Sequence, residues 1–139
     1  MSKREQIATH IMDKLREVRY IRDLTREPRD ITELANTNFP HVLLETANET
    51  RDDLTMQDNR TATIEFLLNI VVSGRDRDSQ RNLVVEAIER KLNEDITLGG
   101  LAFNAGVSEV LTREIDSAEP FATCALVFSV SYHYDRTQP

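Results

Sequence analysis

Three histidines, His10, His41 and His133, are the side chains of this sequence best suited to metal or acid–base chemistry. Their spacing argues against both. They fall on separate segments, with no HxH, HxxxH or HExxH pattern to turn two imidazoles toward one ion. Asp52, Asp53 and Asp58 supply carboxylates in the number a calcium loop uses, but not in its D-x-D-x-D-G order and without its closing Glu. Ser73-Gly74 and Ser117 lack the context of a nucleophile elbow. Gly99-Gly100 lacks the G-x-x-x-x-G-K-[ST] pattern and follows a helical segment, whereas phosphate cradles precede one. The lone Cys124 has no internal disulfide partner. Its neighbours Ala122, Leu126 and Phe128 place it on a buried strand, where a thiol acts as a small apolar group. No metal, cofactor or catalytic residue is expected. A catalytic set assembled from distant residues would leave no local trace, so that reading stays open.

The elements that carry these residues follow from apolar periodicity. Ser2 and Glu5 fit a capping box. Ile7, Ile11, Leu15, Val18 and Ile21 then recur at helical spacing, which predicts a helix over 3–24. Asn38-Phe39-Pro40 breaks the chain, and Val42-Leu43-Leu44 centres a short strand over 41–46. Residues 47–60 read as a long, mobile, polar connection in which only Leu54 and Met56 offer apolar mass. A hairpin tip with no partner explains that stretch equally well. Residues 61–72 alternate Ala62, Ile64, Phe66, Leu68, Ile70 and Val72 against a more polar face. A second helix is expected over 79–92, faced by Leu83, Val84, Ala87, Ile88, Lys91 and Leu92. After Gly99-Gly100 come two more alternating runs, 107–115 and 121–134, joined by a turn at 116–120. Residues 135–139 form a polar tail.

The expected fold is α+β, a single domain over 1–139. A mostly antiparallel four-stranded sheet carries two main helices on one face, in the order α-β-β-α-β-β. On the other face Leu67, Val71, Phe121 and Val127 would stand out, a group that suggests a subunit contact.

Bulk properties agree with a globular chain. It has 139 residues, 40% of them hydrophobic and 29% charged. No apolar run reaches the roughly 18–20 residues needed to span a bilayer, and the start is not that of a signal peptide, so a chain made and used in the cytoplasm is expected. The net charge of −7 disfavours a broad grip on nucleic acid. Among the cations only Lys3, Lys14 and Lys91 are not Arg. Arg suits bidentate pairing with carboxylates across an interface, and a solvated surface of mixed sign is the plainer alternative.

Several of these pieces carry a resemblance. Phe39-Pro40-His41-Val42-Leu43-Leu44-Glu45, the long alternating strand, the helix, Asp95-Ile96-Thr97-Leu98-Gly99-Gly100-Leu101 and the closing Phe128-Ser129-Val130-Ser131-Tyr132 together resemble tailed-phage tail terminator proteins, also called minor tail or tail-completion proteins. The resemblance spans about residues 7–134, and nothing in 48–60 takes part in it. It implies a structural virion protein rather than an enzyme. Such a protein forms a homohexameric ring that caps the tail tube, ends its polymerisation and offers a surface for head–tail joining.

The partners so implied are further copies of the chain, the tail tube protein and a head-completion or neck protein. DNA would pass through the lumen without specific binding, and no membrane is involved. The location would be the neck end of the virion tail, after assembly in the host cytoplasm. On this reading Asp52, Asp53, Leu54, Met56 and Asp58 contact the tail tube, and Arg75, Arg77 and Arg113 pair with acids of a neighbouring subunit. The alternative is a small ferredoxin-like ligand-binding or regulatory module.

Overall fold

Ser2 starts the first helix, α1 (Lys3–Arg16), by accepting the Glu5 amide on its Oγ at 3.1 Å. The computed structural model describes residues 1–30, 33–52, 58–113 and 120–139. Glu5 does not close the expected capping box. Its carboxylate pairs with Arg26 instead. Ile7, Ile11 and Leu15 form the buried stripe of α1.

The helix stops eight residues before the predicted end. Past Arg16, Glu17 and Val18 close i→i+3 bonds at 3.1 and 3.0 Å, and the Arg22 amide donates to the Pro40 carbonyl at 2.9 Å. Val18, Tyr20 and Ile21 are β-branched or aromatic and gain little from continuing a helix. Val18 and Ile21 keep their inward positions from a turn, which mimics helical spacing.

That early stop frees a strand, β1 (Asp23–Thr25), which pairs in parallel with β2 (His41–Asp52). A short 3-10 turn, Asn36–Asn38, lies between them. β3 (Asn59–Ser73) follows, then α2 (Arg77–Leu92), β4 (Asn104–Thr112) and β5 (Phe121–Asp135). The sheet is five-stranded and mixed, in the order β1-β2-β3-β5-β4. The expected four-stranded sheet and its order α-β-β-α-β-β are therefore corrected to α-β-β-β-α-β-β. The missed strand is three residues long with one apolar side chain, too short for any periodicity to reveal.

Two bulges reshape the rest. Between Thr46 and Glu49 the β2–β3 register slips by one residue, and pairing then continues to Asp52↔Thr61. The stretch 47–52, expected as part of a loop over 47–60, is thus strand, and residues 53–57 lie outside the described residues. Between Val107 and Glu109 the β4–β5 register slips in the same way. Val107 and Val110 consequently share the inner side, against the strict alternation read from the sequence. The predicted turn at 116–120 and residues 114–115 lie largely outside the described residues.

The core lies between the helices and one sheet face. Ile7, Ile11 and Leu15 of α1 and Val84, Ile88 and Leu92 of α2 join Phe66, Phe128 and their inward neighbours in one cluster. Leu83, expected on that face, is exposed, and Arg81 takes the inward place. β3 and β5 are each 15 residues long and pair throughout, a ribbon of about 50 Å at about 3.3 Å per residue.

Candidate assembly surface

Alternation gives the sheet two unlike faces. Inward positions of β3 and β5 are buried almost without exception, and outward ones are mostly half-buried; Val71 and Val127, expected to stand out there, are themselves buried at 6% and 7%. Register places the outward residues in rows. Glu45, Leu67, Val127 and Glu109 form one row across β2, β3, β5 and β4, and Leu43, Asn69, Ala125 and Leu111 form the next. Every charged residue at an outward position of these four strands is acidic: Glu45, Asp52, Glu65, Glu109 and Asp135. Asn69 Nδ2 donates to Glu45 Oε1 at 2.7 Å. A groove of about 600 Å³ runs over this face, lined by Asn69, Val71, Leu111, Arg113, Thr123 and Ala125. β4 is a free edge of the sheet, and Val110 and Leu111 stand 42% and 45% exposed on it.

Arg81 ties the end of this sheet to α2. It is 5% exposed, and its Nη1 donates to the carbonyls of Arg113 at 2.9 Å and Thr123 at 3.0 Å. Its Nη2 meets Asp78 at 3.2 Å. The guanidinium fork thereby satisfies two carbonyls where β4 leaves β5. Arg75, Arg77 and Arg113 gather at this same end. Arg75 and Arg113 are exposed, and Arg77 Nη1 donates to the Gly74 carbonyl at 3.0 Å.

The opposite end is the β2–β3 arm. Because of its bulge, Glu49 and Arg51 point inward, opposite Ile64 and Ala62. Glu49 accepts from the Tyr132 hydroxyl and from Arg51 Nε at 2.8 Å, and Arg4 of α1 stands 3.7 Å away. The Arg51 guanidinium lies 4.4 Å over the Tyr134 ring. Burial, then the Glu49 carboxylate, pushes the Tyr132 phenol well above its usual range. At the arm tip Asp52 is exposed, and Asp58 pairs with Arg136 Nε at 3.0 Å. Asp53, Leu54 and Met56 lie outside the described residues. The C-terminal residues turn back on the chain: the Lys3 amide donates to the Pro139 carbonyl at 2.7 Å.

The segment 95–101 is a built turn. Asp95 accepts the Thr97 amide at 3.0 Å, the Thr97 hydroxyl at 2.7 Å and the Gly99 amide at 2.8 Å. These donors hold its carboxyl down at about 2. Leu98, Gly99 and Gly100 all have positive φ, at 50°, 69° and 89°. A Cβ on Gly99 would meet His10 Cε1 at 3.0 Å.

The histidines sit apart. His10 packs on Gly99, and His133 stacks on Phe103 at 4.6 Å. His41 is buried beside Thr25, with its Nε2 3.3 Å from Thr25 Oγ1. Thr25 donates its proton to the Glu27 carbonyl at 2.9 Å, so toward His41 it accepts. A hydroxyl bonded this way is not poised for deprotonation by the imidazole. Burial lowers the His41 pKa, opposed by Asp23 and assisted by Arg29.

Sequence reasoning missed the Glu49–Tyr132 pair, the Arg81 bracket and the row of acidic residues on the outward strand face. The last was legible in part, because Glu65 shares an alternating face with Asn69, but Asp52 and Glu109 turn outward only through the bulges of β2 and β4.

No family model matches the chain, and no curated protein matches it. Among solved structures, a chain described as part of the "Virion of native gene transfer agent (GTA) particle" aligns over 96% of this chain and 92% of its own. The TM-score is 0.48 and the identity 8%, a likeness too slight to bear on function.

Proposed function

We propose that this chain is a non-enzymatic virion assembly protein. It closes into a homohexameric ring on the end of a phage tail tube, stops tube growth and offers a surface to the head-completion protein. One observation carries the reading most directly. Among the described residues the helices cover one face of the sheet, while the other presents half-buried Leu43, Leu67 and Ala125 and exposed Leu111 among acidic strand residues, beside the edge strand β4. Such a face suits a repeated contact between copies, and a heterologous contact repeated about an axis closes a ring. The resemblance of 39–45, 95–101 and 128–132 to tail terminators supplies the biological setting.

Within this proposal the arm tip, with Asp52 and Asp58 among its described residues, meets the tail tube. Arg75, Arg77 and Arg113 face acids of a neighbouring subunit, and DNA transits without being gripped. The test is electron microscopy of assembled particles together with a variant in which residues 53–57 are replaced by a tight turn. The proposal expects six-fold density at the neck end of the tail, and overlong or headless tails from the shortened variant. Particles without this chain at the neck end overturn the ring reading, and normal tails from a folded shortened variant overturn the role of the arm tip.

A further inference from the structure

The helix side of the molecule has the opposite character to the outward sheet face. Residues 1–29 hold eight of the 17 Lys and Arg but only five of the 24 Asp and Glu. Between α1 and β1 the chain turns through Arg19-Tyr20-Ile21-Arg22. Ile21 packs inward, while Tyr20 is 49% exposed and Arg19 and Arg22 are exposed beside it. Neither arginine has an ion-pair partner among the described residues. Tyr20 borders grooves shared with Leu83, Arg90 and Lys91, which places this knob over α2, on the far side of the sheet from Glu45 and Glu109. A tyrosine flanked by two arginines is the composition of an interface anchor.

We infer that the Arg19-Tyr20-Arg22 knob of one copy seats on the outward sheet face of the next, with Tyr20 in the groove over Ala125 and Leu111 and the two arginines on Glu45 and Glu109. The inference rests on the ring reading above and names its contact. Charge selects the occupant: the charged outward residues within the four strands are all acidic, with Arg113 just past β4 at one end of the groove, and the knob carries two exposed cations. Spacing agrees with it. Glu45 and Glu109 stand three strands apart, about 14 Å at roughly 4.8 Å per strand, and two arginines straddling a central ring can reach both. The knob and the face lie on opposite sides of one chain, so each copy can give and receive at once. That is the head-to-tail arrangement a cyclic assembly requires. The contact also covers Leu111, which the fold leaves 45% exposed.

Two measurements on the full chain test this. In the first, the double variant Tyr20→Cys/Leu111→Cys is oxidised and run under denaturing conditions. A ladder of covalent oligomers is expected, with neither single variant passing a dimer. In the second, native mass spectrometry follows charge reversal. Arg19→Glu/Arg22→Glu and Glu45→Arg/Glu109→Arg should each lose the ring at least tenfold, and the four substitutions together should restore it. Circular dichroism checks that each variant folds. A wild-type ring without the cysteine ladder overturns this contact and leaves the ring reading standing. Unchanged assembly after Arg19→Glu/Arg22→Glu does the same. A wild-type chain that stays monomeric at millimolar concentration overturns both.

Discussion

Tyr132 and Glu49, 83 residues apart in sequence, share a hydrogen bond on the helix side of the sheet, with the phenol donating to a carboxylate whose side chain is only 8% exposed. The bulge after Thr46 makes this contact, since without its one-residue slip Glu49 would point outward. Arg51 and Arg4 complete the neutralisation. The arm is thereby pinned to β5 and to α1 by polar rather than apolar contacts.

Removing one member of that group should expose its cost. Tyr132→Phe deletes a donor to a buried carboxylate and should destabilise the chain by about 1–3 kcal/mol. Glu49→Ala should cost at least as much, because it leaves the phenol without its acceptor and Arg51 without its ion pair. Urea denaturation measures both. A change below about 0.5 kcal/mol for Tyr132→Phe would show that the bond is not formed in solution.

Arg81→Met keeps much of the side-chain volume but leaves the carbonyls of Arg113 and Thr123 without their donor. A loss of about 2–4 kcal/mol is expected, as charged hydrogen bonds contribute about 1.5–3 kcal/mol each and do not add fully. Hydrogen exchange should quicken at the end of β4 more than in β3. Uniform exchange across the sheet would contradict a local bracket.

The two glycines of the 95–101 turn should differ. Gly99→Ala meets both a positive φ and the His10 ring at 3.0 Å, whereas Gly100→Ala meets only the positive φ. Forcing alanine into the left-handed region costs about 1–2 kcal/mol, and the contact with His10 adds to it at Gly99. Thermal melts should rank wild type above Gly100→Ala, and Gly100→Ala above Gly99→Ala. The reverse order would refute the His10 contact.

Acid should weaken the β1–β2 junction. Burial lowers the His41 pKa below its free value, so the unfolded chain binds more protons than the folded one as pH falls. The stability conferred by neutral His41 is complete above about pH 6.5, the free value, and is lost as pH drops through the lowered folded one. His41→Gln should flatten the pH dependence of stability as pH falls below about 6.5. Asp95, held down at about 2, acts in a separate window: its contribution is present above about pH 4 and lost as pH falls toward 2. Chemical denaturation across the pH range separates the two. An unchanged slope just below about pH 6.5 in His41→Gln would remove His41 from the account.

Part of this architecture is local chemistry and could be read directly. Ile7, Ile11 and Leu15 declare a helix, and the alternation through Ala62, Phe66 and Ile70 declares a strand, because each pattern repeats with the geometry of one element against one core. Gly99-Gly100 after a helical stripe declares a break for the same reason. Other features depend on partners far along the chain. Asp23–Thr25 is a strand only because β2 lies beside it. Residues 47–52 are polar, and they join the sheet because β3 supplies backbone partners while Tyr132 and Arg51 satisfy the inward Glu49. Arg81 is buried because two carbonyls from separate strands converge on it. Periodicity reports which side chains avoid water. It is silent about polar groups whose partners arrive only when the chain has folded, and those groups set the arm, the edge strand and the acidic face of this protein.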